Sequence, residues 1–347
     1  MGVSKPYTKL IVIGGRTPKA DSLGSTLVRT IDMEKISVCD VGSHHLKGHF
    51  VKDATHGQNY TETKLPGRLL GAKGVFYDGH PIICGGLEGT DKYGGSPISS
   101  NCYRMIKDNE WVDIPSMSIR RKGHSMAVVS DRIIVAGGIE TEDDYGEGDP
   151  LLNSIETFQT NEGWTIMNIT MPKKMMGHCF VSLPDDRVIS IGGFANDYDF
   201  NDIYYDETWI LDVENQSWKK QSPMIERRAY HGCATITDLD ENVFVIVSGG
   251  ETDNGKRLST SEVYDIANNT WSLEASLPKS LSKAQLIEDR RGGVLMVGGD
   301  DGSKTQSSSD IFYLSTKNGD WVQTFKSLDV SSSDHVAMLV PDSLIEC

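Results

Sequence analysis

Long apolar runs are missing from this chain: nothing in it approaches the roughly eighteen consecutive apolar residues of a membrane-spanning helix. The opening residues, Met1 to Leu10, lack the apolar stretch of a secretory leader. Pro6 stands where a myristoylation signal wants Ser or Thr. Cysteine is scarce, six in 347 residues with no Cys-x-x-Cys, so no disulfide scaffold is indicated. Basic residues are in deficit: 34 Lys and Arg against 49 Asp and Glu leave a formal charge of -15. Such a chain repels phosphate backbones and anionic bilayers, which argues against nucleic-acid and membrane partners. The absences together predict a soluble protein of a reducing compartment, the cytoplasm.

Catalytic signatures are missing as well. There is no G-x-G-x-x-G, no lysine-bearing P-loop and no H-E-x-x-H. G-x-S-x-G and the H-x-E…P-C-x-x-C deaminase pattern are absent too. Helical periodicity is nearly absent.

Glycine, in contrast, is abundant at 35 residues, and its placement is periodic. Gly-Gly doublets close short apolar runs six times: IVIGG at Gly15, IICGG at Gly86, IVAGG at Gly138, ISIGG at Gly193, VIVSGG at Gly250 and LMVGG at Gly299. The intervals are 71, 52, 55, 57 and 49 residues. Four-stranded repeat units occupy roughly 40 to 50 residues plus loops. After each doublet comes a run that often carries an aromatic residue (Tyr103, Phe158, Tyr264, Tyr313), then one opening near Trp111, Trp164, Trp218, Trp271 or Trp321. The first unit has no such tryptophan; the run ISVCDV around Cys39 stands in its place. Before the doublets lie HSMAVV, HCFVSL, HGCATI and KAQLIE, which complete groups of four short β-branched runs.

This pattern resembles kelch repeats over nearly the whole chain. The resemblance implies an all-β, six-bladed β-propeller of four-stranded blades forming one domain over residues 1–347. Blade one is expected at 1–66 plus 334–347, and blades two to six at 67–117, 118–171, 172–224, 225–278 and 279–333. The chain opens on a second-strand run, KLIVIGG, and ends on an orphan first-strand run, DHVAMLV from Asp334. The C-terminal strand is therefore expected to complete blade one and remove its free edge. The doublets and tryptophans read as architecture, glycine where a Cβ would clash and Trp as inter-blade filling.

His124, His178, His231 and His335 each open a first strand, so four imidazoles are expected near one channel mouth. A metal site is one reading, but Ala72 and Ser282 interrupt the set, and histidines bonding neighbouring turns is the plainer one. No metal and no cofactor are expected. Kelch-type copper oxidases, iron-dependent specifier proteins and sialate mutarotases exist, yet no copper-site or E-x-x-x-D-x-x-x-H pattern is present. A small mutarotase-like site using Arg121 and Arg228 is the enzymatic alternative.

The loops are unlike the strands. IETEDDYGEGDP (139–150) has six carboxylates and NDYDFNDIYYDE (196–207) has five, both with aromatics. EGTDKYGGSP and the Asp300–Asp301 pair add to them, whereas the inter-blade segments are basic at Arg120, Arg121, Lys122, Lys173, Lys174, Arg227 and Arg228. Charged loops are commonly just solvated, but exposed aromatics beside charges compose a binding surface. The sequence thus predicts a non-catalytic interaction module that takes a protein or peptide partner with basic and apolar side chains. The expected contacts are Tyr93, Arg121, Asp143, Asp144, Tyr145, Lys174, Asp197, Tyr198, Asp199, Arg228 and Asp301. The resemblance implies cytoskeletal or ubiquitin-ligase partners and an adaptor role, although the BTB and BACK domains of ligase receptors have no room here. Asp197, Asp199, Asn201 and Asp202 also space oxygens as a calcium loop might, without the EF-hand pattern.

Cys84 and Cys102 are expected on neighbouring strands, close enough to bond, whereas Cys179 and Cys233 read as small core residues. With N-x-S/T sequons at Asn59, Asn168, Asn215 and Asn268, that pair offers an extracellular alternative to the cytoplasm.

Overall fold

Short β-branched runs separated by Gly, Asn and Asp fold as antiparallel strands because tight turns join them at little cost. Tyr77-Asp78-Gly79-His80 is the plainest case: Asp78 and Gly79 both have positive φ, 50° and 78°, and join two strands in register. The computed structural model describes residues 9–16, 28–32, 65, 69–88, 97–107, 110–141, 150–196, 202–304, 306–328 and 331–344. Among these the only helices are two three-residue 3-10 turns, and none is long and apolar enough to cross a membrane.

Five sheets have four strands in a meander. Blade two is Lys73–Tyr77, His80–Cys84, Cys102–Lys107 and Glu110–Ile114. Blade three is Ser125–Val129, Arg132–Ala136, Ser154–Gln159 and Gly163–Thr170. Blade four is Cys179–Ser182, Arg187–Ile191, Thr208–Asp212 and Ser217–Lys220. Blade five is Gly232–Thr237, Val243–Ser248, Ser261–Asp265 and Thr270–Glu274. Blade six is Gln285–Glu288, Val294–Val297, Ile311–Leu314 and Val322–Gln323. A seam sheet joins the chain ends: Lys9–Ile13 lies between Val28–Asp32 and Val336–Val340, antiparallel to both.

The expectation of six four-stranded blades is therefore corrected. Five are complete, and the seam sheet has three strands among the described residues. The run Ile36–Val41, expected to supply its outer strand, lies outside those residues.

The second strand of each sheet is apolar on both faces because both faces meet a neighbouring sheet. Its alternating residues divide between two clusters. Leu10 and Val12 pack with Leu295 and Val297 of blade six, while Ile11 and Ile13 pack with Ile83 of blade two. Ile133 and Val135 likewise face Ile82 and Cys84, and Ile134 and Ala136 face Val188 and Leu211. The same period of two continues through blades five and six.

The doublets and histidines form one device. At four of the six doublets the first glycine receives the ring of the next sheet's histidine: a Cβ on Gly137 would stand 2.6 Å from His178 Cε1 and 2.8 Å from the Met175 carbonyl. The second glycine backs against its own sheet's histidine, as Gly138 does with His124 and Gly250 with His231. All these glycines have positive φ, so two independent penalties exclude other residues. Each histidine is thus wedged between two blades. Three tryptophans tie outer strands similarly: Trp164 Nε1 donates to Pro115 O (2.8 Å), Trp271 to Ser222 O (3.0 Å) and Trp321 to Ala275 O (3.0 Å). Each acceptor lies in the segment that follows the preceding blade.

Two outcomes follow. Gly137→Ala should destabilise by about 3 kcal/mol or more, combining left-handed strain with overpacking. Gly163→Ala, with positive φ but nothing within 4 Å, should cost about 1–2 kcal/mol; equal losses in denaturant midpoint would overturn the wedge. Deleting residues 334–347 removes the Val336–Val340 strand and should abolish cooperative unfolding, to be read by calorimetry of the full and shortened chains.

Candidate functional site: the channel mouth and its loop face

In a four-strand meander the first-to-second and third-to-fourth turns fall at one end. The second-to-third loops and inter-blade segments fall at the other. The basic inter-blade segments fall at this second end, whereas the first-to-second turn Asp238–Asn242 puts three carboxylates at the first. At its centre six junction residues form a closed circle of backbone hydrogen bonds. Gly71 N–H donates to Asp334 O (3.2 Å), Asp334 to Lys283 (2.9 Å), Lys283 to Tyr230 (2.8 Å), Tyr230 to Gly177 (2.7 Å), Gly177 to Gly123 (2.9 Å) and Gly123 to Gly71 (3.3 Å).

Every residue of the circle has positive φ. Glycine meets that demand at Gly71, Gly123 and Gly177. Tyr230, Lys283 and Asp334 meet it at φ of 52°, 54° and 54°, a conformation that costs a bulky residue of order 1–3 kcal/mol. Three consecutive junctions therefore keep side chains at the mouth where glycine would be easier. Lys283 Nζ lies 5.0 Å from the Tyr230 ring centroid, and the ring covers Gly177 and meets Phe194 at 5.4 Å. Phe194 stacks on Tyr204 at 5.6 Å. Glu251 sits beside Lys283, its carboxyl held above the ordinary range by burial and only partly restored by that cation. Burial pushes the Lys73 ammonium down, opposed by the Asp334 carboxylate. The mouth thus carries an aromatic face and charges of both signs on one half of its rim and bare glycine on the other.

Of the expected contact residues, Tyr93, Asp143, Asp144, Tyr145, Asp197, Tyr198 and Asp199 lie outside the described residues. Lys174 is exposed on the segment entering blade four. Asp301 is half-buried and pairs with Lys279 at 3.1 Å. Asp202, at the end of the anticipated calcium loop, accepts from Asn196 Nδ2 at 2.7 Å.

Arg121 and Arg228 require correction. Both are 0% exposed, and neither guanidinium reaches the surface. Arg121 pairs with buried Glu156 (3.0 Å) and donates to Gly137 O and Ser154 O. Glu156 also accepts from Ser118 and Ile119 N–H. Arg228 repeats this with Glu262 (2.7 Å), Gly249 O and Thr260 O, and Glu262 accepts from Ile225 and Glu226 N–H. These pairs anchor inter-blade segments from within, so they serve neither a partner nor the sugar or carboxylate ligand of the enzymatic alternative. The missed signal was an acid two residues past a Ser or Thr in the third strands of blades three and five, which marks the buried partner.

The histidines are buried wedges rather than a mouth ring. Among the described residues no three His, Cys, Asp or Glu side chains are placed to share a metal. Burial lowers His124 and His231 well below 6.5 and His178 to about 3, with Arg121, Arg228 and Lys73 adding repulsion. Cys84 and Cys102 stand on neighbouring strands as expected and form a disulfide, whereas Cys179–Cys233 is a second one and not the two separate core residues expected.

The family model for the KLHDC2/KLHL20/DRC7 Kelch-repeats domain matches residues 123–345. The chain belongs to the kelch-repeat family. Among curated relatives, mouse Kelch-like protein 36 is 25% identical over 277 residues, 78% of this chain and 42% of that protein. Alpha-scruin of Limulus polyphemus is 29% identical over 119 residues, 33% of this chain and 12% of its own length. This kelch chain thus spans less than half the length of either. Among solved structures, that of YjhT superposes with a TM-score of 0.65 at 14% identity, covering 93% of this chain and 99% of the other. That likeness carries the propeller fold alone.

Two measurements test this kelch architecture. Arg121→Met should cost roughly 3–5 kcal/mol by stranding Glu156, and adding Glu156→Gln should recover part of it in urea melts. For a base whose folded pKa is depressed, the unfolded chain holds the extra proton. The stability from the neutral histidines is therefore complete above pH ~6.5 and lost as pH falls toward the folded values, about 3 for His178. The melting temperature should begin to drop between pH 6.5 and 5, ahead of carboxylate titration; a flat profile there would contradict the burial.

Proposed function

We propose that the chain is a protein-interaction module that engages a partner protein or peptide through the loop face around the channel mouth. One observation carries the reading: Tyr230, Lys283 and Asp334 keep their side chains at the mouth in a left-handed conformation that their neighbours satisfy with glycine. Strain retained at three consecutive junctions where glycine would be easier points to use. Tyr230 offers an apolar face, Lys283 a cation and Asp334 an anion, which suits a polypeptide segment carrying both charges beside an apolar side chain. Lys174, Asp301 and the loop residues expected from the sequence, Tyr93, Asp143, Asp144, Tyr145, Asp197, Tyr198 and Asp199, extend the proposed contact, with the acidic loops steering a basic partner. Membership of a family that includes Kelch-like proteins and scruins supports a scaffold or adaptor role of this kind.

The mouth can be tested without harming the fold, because glycine is already the residue at three of its six positions. Lys283→Gly with Asp334→Gly should keep a single cooperative melting transition and weaken partner capture at least tenfold. Tyr145→Ala with Tyr198→Ala should weaken it by about 2 kcal/mol, near thirtyfold. Reversing Asp240 and Glu241, on the opposite end, should change nothing. Full capture by both mouth and rim variants would overturn the reading.

A further inference from the structure

Two sulfur pairs and two turns point to where this chain matures. Cys84 ends the second strand of blade two, and Cys102 opens the third directly opposite, Cα to Cα 4.2 Å. Cys179 and Cys233 stand on the inner strands of blades four and five at 6.3 Å and join two blades covalently. Four of the six cysteines are thus placed as disulfides, which persist in oxidising compartments and are rare in the cytosol.

The second observation is independent. Asn215-Gln216-Ser217 and Asn268-Asn269-Thr270 are sequons at the same third-to-fourth-strand turn of adjacent blades, and both asparagines are exposed. The turns are built identically. Asn215 N–H donates to Asp212 Oδ1 (2.8 Å) and its Nδ2 to Asp212 Oδ2 (2.8 Å); Asn268 does the same with Asp265 (2.9 and 2.8 Å). An Asn Nδ2 carries two hydrogens, so one can be replaced while the other keeps its bond to Asp. Both turns lie at the end of the propeller opposite the mouth.

We propose that the chain matures in an oxidising, glycosylating compartment, with Cys84–Cys102 and Cys179–Cys233 formed and N-linked glycans on Asn215 and Asn268. In place of the cytoplasm expected from composition, this assigns the protein to a secretory or extracellular setting. Each sulfur bond forms by thiol–disulfide exchange with a disulfide oxidoreductase: two protein thiols lose two protons and two electrons, and the partner leaves as a dithiol. Each glycan arrives from a lipid-diphosphate donor. The amide Nδ2 forms the new bond to the sugar anomeric carbon and gives up one proton; the sugar–phosphate bond breaks, and the lipid diphosphate leaves. The chemistry stays on the turn end and leaves the mouth uncovered, whatever binds there.

The test is peptide mapping of the full chain from its natural source. Cys84, Cys102, Cys179 and Cys233 should resist alkylation in denaturant until a reductant is added. Peptide N-glycosidase in water enriched in oxygen-18 should convert Asn215 and Asn268 to labelled Asp. In secretion-competent eukaryotic cells, Ser217→Ala and Thr270→Ala should each remove one step of electrophoretic mobility shift. Alkylation of all four thiols without reductant, or recovery of both sequon peptides at unmodified mass, would overturn the proposal.

Discussion

The circle of backbone hydrogen bonds at the channel mouth is the constraint to which the rest of this propeller conforms. Each junction donates one N–H to its neighbour's carbonyl, so every blade's first strand starts at a fixed height and rotation about the axis. Fixing those starts fixes where the histidine wedges fall, and the wedges fix where a glycine must replace any side chain. The apolar alternation of the second strands then follows, because each face has one neighbour at one spacing. The geometry is demanding in φ, and the repeating Gly-Gly and Gly-His signature is its trace in the sequence.

That trace explains what was legible. The doublets, the tryptophans and the orphan run DHVAMLV are residues whose identity is dictated by backbone contacts, so they announce strands, blades and the pairing of the chain ends. Among the described residues the seam sheet has three strands, and ISVCDV, read as the fourth because it stands where the other units carry a tryptophan, lies outside them. The roles of Arg121 and Arg228 were misread for a different reason. Basic residues in an inter-blade segment look solvated in one dimension, and only the fold brings Glu156 and Glu262 from 35 and 34 residues away to bury them. Tyr230, Lys283 and Asp334 were invisible as a group, since their equivalence is one of φ rather than of side chain. Cys179 and Cys233 escaped because they are offset by one residue relative to their histidines.

The buried Arg–Glu pairs also account for part of the division of charge. Blades three and five place a salt bridge where blades two, four and six have apolar residues such as Leu69, Met175 and Leu281. A pair shielded from water and bonded to backbone carbonyls and N–H groups holds one arrangement and no other, which suits segments that must carry loops at a defined angle. The surface charge left over is then strongly acidic and gathered in the loops.

The seam has a consequence for how the chain reaches this state. Ile13 and Val336 are partners although more than 300 residues separate them, and every other sheet is built from neighbours in sequence. The blades can form one after another as short-range hairpins, yet the strand Lys9–Ile13 has no partner on its inner side until the last strand arrives. Its apolar faces and one free edge remain exposed for the whole interval. Closing the ring is therefore the pairing with the greatest loop-closure cost, and a ring still open at that joint would present the apolar strand Lys9–Ile13 to other chains.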